Sequence, residues 1–111
     1  METQHDLERI VAVALVAVER GARGMAIDRC AKQLVRDRFG AKARGAVADP
    51  RWRQTWNRER CYLVGSAEAL GRCAAGLAAD GRRHAITSDD VETAMLKLRG
   101  RMPIAGRWCP F

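Results

Sequence analysis

The chain has 111 residues, a mass of 12.3 kDa, a net charge of +7 and a sequence pI near 10.1. That is room for one domain with a modest core, since domains typically run about 100–150 residues. Hydrophobic residues make up 48% but aromatics only 5%, and alternating strand patterns are nearly missing, which excludes a β-rich fold and predicts closely packed helices.

The first predicted helix runs over about residues 4–20. Leu7, Ile10, Val11, Ala14, Leu15 and Val18 fall at i, i+3, i+4, i+7, i+8 and i+11, one wide apolar stripe. Val13 and Val16 add apolar surface beside it, so cover on more than one side is expected. The apolar run 10–18 is too short for a bilayer, which needs about 20 residues. It follows Asp6 and Glu8 rather than a positive segment, which argues against a signal peptide. The chain therefore reads as soluble and cytoplasmic, with no membrane partner.

Gly21-Ala22-Arg23-Gly24 breaks the first helix. A second helix is predicted over 26–38, with Ile27, Cys30, Ala31, Leu34 and Val35 on its apolar face. Asp28 in its first turn and Arg36 and Arg38 in its last complement the helix dipole, and Gly40 is expected to stop it. Residues 40–50 hold Gly40, Gly45 and Pro50 without periodicity. They read as a loose connection, long for a helical one, and so either mobile or functional.

The third helix starts at 51 or 52 and runs to 80. Leu63, Ala67, Leu70, Ala74 and Leu77 alternate in steps of four and three, the narrow seam of a coiled coil. Gly65, Gly71 and Gly76 each weaken an isolated helix by about 1 kcal/mol relative to Ala; together they point to close backbone approach by a neighbour, while for any one of them a helix break is the cheaper explanation. Gly81 reads as a left-handed C-terminal cap. A fourth helix is predicted over 88–99. Thr87 or Ser88 caps it, Asp89 and Asp90 sit at its positive end, and Val91, Ala94, Met95 and Leu98 form its buried stripe. Gly100 and Pro103 end it. The tail, 104–111, carries Trp108, Cys109 and Phe111 and is expected to dock on the body or on a partner. No internal repeat stands out.

The stretch from Gly81 to Met95, GRRHAITSDDVETAM, resembles the second loop and last helix of the histone fold. The order short, long, short helix extends the resemblance over 26–102. It makes 1–24 an extra N-terminal helix and 103–111 an apolar tail of a single all-α domain. The resemblance implies a dimer, in which two copies or two related helical proteins clasp through their long helices, with the 63–77 seam as the interface. It implies a salt bridge between Arg83 and Asp90 that staples the loop to the last helix. It pairs Ile86 with the partner's first loop, and it sets Arg82, Arg83 and His84 against DNA phosphates. Ala85 stands where DNA-binding members of the family usually carry a threonine.

Catalysis and metal chemistry find little support. Cys30, Cys61, Cys73 and Cys109 form no C-x-x-C pair, and His5 and His84 have no ligand-like spacing to them. The first three cysteines read as small, reduced, mostly buried helix residues. No cofactor, metal site or enzyme activity is expected. No Walker-type phosphate loop is present either, which excludes a complete ATPase despite the likeness of the Ile86-Thr87 helix start to the small helical domains of AAA+ ATPases.

The charge is the stronger pointer. Residues 42–60 hold six basic and two acidic side chains, a net of +4. Lys42, Arg44, Arg51, Arg53 and Arg58 are expected phosphate contacts in that segment, while Trp52 and Trp56, one turn apart, read as core cover rather than base-stacking platforms. Two functions follow as expectations. One is a basic, histone-like dimer that binds DNA through its backbone, nucleoid-associated in that case. The other is a protein–protein adapter or assembly subunit built on a helical bundle, with the charge as ordinary surface.

Overall fold

The computed structural model describes residues 2–101 and 108–111. Pro103 and the start of the tail at Ile104 lie outside the described residues. The elements are α1 (Glu2–Gly21), β1 (Ala26–Ile27), α2 (Arg29–Val47), α3 (Trp52–Asp80), β2 (Ala85–Ile86) and α4 (Ser88–Leu98). The expected all-α character holds, with four helices and one two-residue strand pair among the described residues.

α1 carries a large share of the core. Ile10, Ala14, Ala17 and Val18 are buried, and Leu7, Val13 and Leu15 pack against that core. The helix lies between α2 and α3, so the expected cover on more than one side is real, although Val16 remains 52% exposed. α1 and α3 run in the same direction: Arg53 pairs with Asp6 at 2.8 Å near one end, and Arg20 with Glu68 at 3.2 Å near the other. Glycine lets the two backbones touch. A Cβ on Gly71 would drive into the Val18 carbonyl, and one on Gly21 into the Glu68 carbonyl. Close approach was expected of Gly65 and Gly76 too, but a Cβ there meets open space.

α2 corrects the sequence reading most. It begins after Asp28, whose carboxylate accepts from Ala31 N at 2.7 Å, so Ile27 belongs to a strand and not to the helical stripe. It then runs straight through Gly40 and Gly45 to Val47. Ala31, Val35, Phe39, Ala43 and Ala46 form one buried stripe along it. Phe39 alone contributes on the order of 1.5–3 kcal/mol by burial, against a cost of about 1 kcal/mol for each glycine. The loose connection expected over 40–50 therefore shrinks to a turn at residues 48–51. There Asp49 Oδ1 accepts from Arg51 N at 2.9 Å. Cys30 and Cys61 are exposed rather than buried, because the true stripes of α2 and α3 pass them by; Cys73 is half-buried and Cys109 buried.

α3 has the expected bounds, and its end differs by one residue. Gly81 has φ −82°, and the left-handed residue is Arg82 at φ 58°. Arg83 N donates to Ala78 O and Arg82 N to Ala79 O, each at 2.9 Å, which ties off the last carbonyls. Thr87 then caps α4. Its hydroxyl accepts from Asp90 N at 3.3 Å, while Asp90 Oδ2 accepts from Thr87 N at 3.0 Å. The Arg83–Asp90 salt bridge forms as the resemblance implied. Asp90 is only 5% exposed and its carboxylate serves three donors, so Asp90→Ala is expected to cost about 2 kcal/mol of unfolding free energy in a denaturant titration. A loss below about 0.5 kcal/mol refutes that reading of the loop.

The strand pair overturns the expected partner of Ile86. β2 pairs in parallel with β1 of the same chain, Ala26 with Ala85 and Ile27 with Ile86, and Asp28 N donates to Ile86 O at 3.0 Å. The interface expected along α3 is likewise occupied from within. Leu63, Ala67, Leu70 and Ala74 are buried and Leu77 is partly buried in the chain's own core. The reason is α1, which lies along α3 and takes the place assigned to a second copy.

An internal repeat is also present. Helix, left-handed arginine, Ala-Ile strand and capped helix occur twice, 59 residues apart: Arg23 with Arg82, Ala26-Ile27 with Ala85-Ile86, and the cap Asp28 with the cap Thr87.

Candidate nucleic-acid interface

The structure divides the basic residues named from sequence into two groups. Arg82, Arg83 and His84 sit in the turn before β2. Lys42 and Arg44 lie in the last turns of α2, and Arg51, Arg53 and Arg58 at the start of α3. α3 separates the groups by its own length, about 43 Å at 1.5 Å per residue. They do not form one patch.

At the strand end, the geometry adds a residue that sequence reading missed. The turns 22–25 and 81–84 precede two strands that pair in parallel, so they lie side by side at one end of the pair. Each holds an exposed arginine in left-handed backbone, Arg23 at φ 52° and Arg82 at φ 58°. Among the described residues these are the two non-glycine positions with positive φ. That conformation costs a bulky L-residue roughly 1–2 kcal/mol and would cost glycine little. The signal was legible as the repeated R-x-x-A-I at 23–27 and 82–86. Arg83 faces the other way in role, since Asp90 engages it, while His84 stays exposed.

At the far end, acidic neighbours are used locally. Asp49 accepts from the Arg51 amide, and Glu59 accepts from the Trp108 indole N–H. Of the tail, the described residues 108–111 dock on the body: Trp108 is 1% exposed and its ring lies 4.8 Å from Trp56 and 6.4 Å from Trp52. The two α3 indoles are thus core cover on one side, as expected, but they remain half-buried, and Arg53 stacks over Trp52 at 5.3 Å while bonding Asp6.

Comparison with protein-family models, curated proteins and solved structures returns no match. The chemistry of the interface thus rests on its own residues. Elsewhere along the chain the acids are also engaged: Glu19 with Lys32, Glu68 with Arg20 and Glu92 with Arg38. With thirteen acids against twenty bases, and with Asp6, Glu19, Asp28, Glu68, Asp90 and Glu92 tied into caps or ion pairs, a net charge of +7 remains. No group of three or more His, Cys, Asp or Glu able to hold a metal occurs among the described residues. No helix among them is long and apolar enough to cross a membrane.

Proposed function

We propose that the chain is a small, non-enzymatic module that binds the phosphate backbone of nucleic acid without reading sequence. The carrying observation is the pair of left-handed arginines, Arg23 and Arg82, at adjoining turns. Two strained positions, each filled by a guanidinium where glycine would be cheaper, favour a role for the side chains. With His84 they make a compact cationic end suited to phosphates, and the basic segment 42–60 supplies a second contact along the long axis.

In this reading the resemblance to the histone fold takes a single-chain form. The strand contact and the long-helix cover that the family makes between protomers are made here within one chain, and the unit that meets nucleic acid is a single copy. Solution mass is the direct check on that, with 12.3 kDa expected.

Binding to generic duplex DNA is expected to weaken steeply between about 50 and 200 mM salt, since it is driven by counterion release. Each lost phosphate contact should lower the log–log salt slope by about 0.9. The variant Arg82→Gly separates strain from binding: it should raise the melting temperature while weakening retention in a gel shift. Affinity that is flat over that salt range, or unchanged in Arg23→Glu/Arg82→Glu, overturns the proposal.

A second reading has one observation in its favour. Leu7, Val11 and Leu15 on α1 face Arg36, Gly40 and Arg44 on α2 across an open groove of about 380 Å³. An adapter would use such an apolar floor with a basic rim. A protein that ignores duplex DNA yet loses a protein partner on Val11→Glu would fit the adapter instead.

A further inference from the structure

A second cavity lies at the other face of α1, against the start of α3. It measures about 340 Å³ and is lined by Asp6, Arg9, Ile10 and Val13 from one helix and by Trp52, Arg53, Trp56, Asn57 and Arg60 from the other. The volume falls within the range of small-molecule sites, roughly 300–1,000 Å³. Its floor is apolar, with Ile10 buried. Its walls carry indole surface from Trp52 and Trp56, whose planes meet at 65°.

The polar groups at this cavity are of two kinds. Arg53 and Asp6 hold each other, and Arg53 caps the Trp52 ring, so this pair is a preformed side of the site. Arg9 and Arg60 are exposed at its mouth, and Asn57 adds an amide with both donor and acceptor capacity. Flat aromatic surface, an amide and carboxylate that can meet a heterocycle's edge, and two guanidinium groups above them suit one ligand chemistry. That chemistry is a planar base attached to a phosphate.

We infer that the cavity between α1 and α3 holds a single unstacked nucleotide. The base would lie on the indole surface between Ile10 and Val13, and its phosphate would meet Arg9 and Arg60. The inference deepens the nucleic-acid reading above, since it assigns single strands or strand ends to this face and leaves duplex backbone to the Arg23–Arg82 end and to the basic residues of 42–60 outside the cavity. A free mononucleotide and a nucleotide within a strand share the chemistry, and the experiment distinguishes them.

All three tryptophans of the chain belong to this cluster, so intrinsic fluorescence reports on it directly. The full chain is titrated with AMP, with oligo(dT) and oligo(rA) of eight nucleotides, and with a blunt duplex. The expected result is saturable quenching by the single strands. Quenching by AMP at similar concentration identifies a free nucleotide as sufficient, whereas quenching by strands alone identifies a strand site. Arg9→Ala/Arg60→Ala should weaken single-strand affinity at least tenfold. Val13→Phe, which fills the cavity, should abolish quenching while leaving the far-UV circular dichroism and the duplex gel shift unchanged. Absence of quenching by every single-stranded probe overturns the inference, as does quenching that survives Val13→Phe. Because the duplex gel shift is scored separately, either result leaves the phosphate-backbone proposal to stand or fall on its own salt dependence.

Discussion

Gly71→Ala is expected to destabilise the protein by about 3 kcal/mol or more. Alanine normally favours a helix by about 1 kcal/mol over glycine. Here the added Cβ is directed at the Val18 carbonyl, and the amide of Ala22 lies at 3.0 Å from it. These are backbone atoms of a packed helix and cannot rotate away. α1 and α3 must separate, and the fully buried Ala14, Ala67, Leu70 and Ala74 lose their contacts with them. Overpacking of this kind costs typically 1–3 kcal/mol and more where backbone has to move. Against a total stability of roughly 5–15 kcal/mol, the melting temperature should fall by more than about 10 °C. Gly76→Ala is the internal control. Its Cβ meets nothing within 4 Å, so the substitution should be neutral or stabilising by up to about 1 kcal/mol. Equal melting temperatures for the two variants would show that α1 does not lie on α3 as described.

Trp108→Ala is expected to cost about 3–5 kcal/mol, the usual range for removing a buried tryptophan. The residue is 1% exposed, packs against Trp52 and Trp56 and donates its indole N–H to Glu59. Its loss would open a large void at the start of α3 and withdraw a donor from the Glu59 carboxylate. Trp108→Phe keeps most of the bulk and should cost clearly less, nearer the value of one hydrogen bond to a charged group, about 1.5–3 kcal/mol. Urea unfolding of both variants checks the order. A loss under about 1 kcal/mol for Trp108→Ala would mean that the C-terminal residues do not hold the start of α3.

Much of the candidate site is readable in the amino-acid sequence, though not its assembly. Lys42, Arg44 and Arg51 to Arg60 are conspicuous as a run of charge, and Arg82 to His84 as a basic turn. Their separation by the length of α3 is invisible in a linear reading, because chain distance says nothing about which end of a helix a loop returns to. Arg23 was passed over for a similar reason. In isolation it is one arginine in a glycine-rich break; the repeated R-x-x-A-I marks it in the sequence, and the pairing of β1 with β2 brings its turn beside that of Arg82. Asp6, Arg9 and Asn57 carry no local signal at all. They become a site because α1 lies parallel to α3 with Asp6 opposite Arg53.

What the amino-acid order determined alone was everything governed by neighbours within four residues. That includes the existence of the helices, the limits of α3 and the capping of α4 by Thr87 and Asp90; the Arg83–Asp90 link, seven positions apart, is implied instead by the likeness of 81–95 to the histone fold. Capping, dipole and stripe are short-range effects, and composition reports them faithfully. α2 escaped because alanine and glycine mark a buried face weakly: Gly40, Ala43 and Ala46 are inside only because Val11 and the rest of the core lie over them. Only the tertiary structure decided what covers the 63–77 seam. An apolar ridge demands cover with equal force from any source, and the free energy of burial does not distinguish a second copy from an N-terminal helix of the same chain. The close contact at Gly21 and Gly71 is what lets α1 lie there, and it turns a ridge that asked for a partner into the centre of a self-contained core.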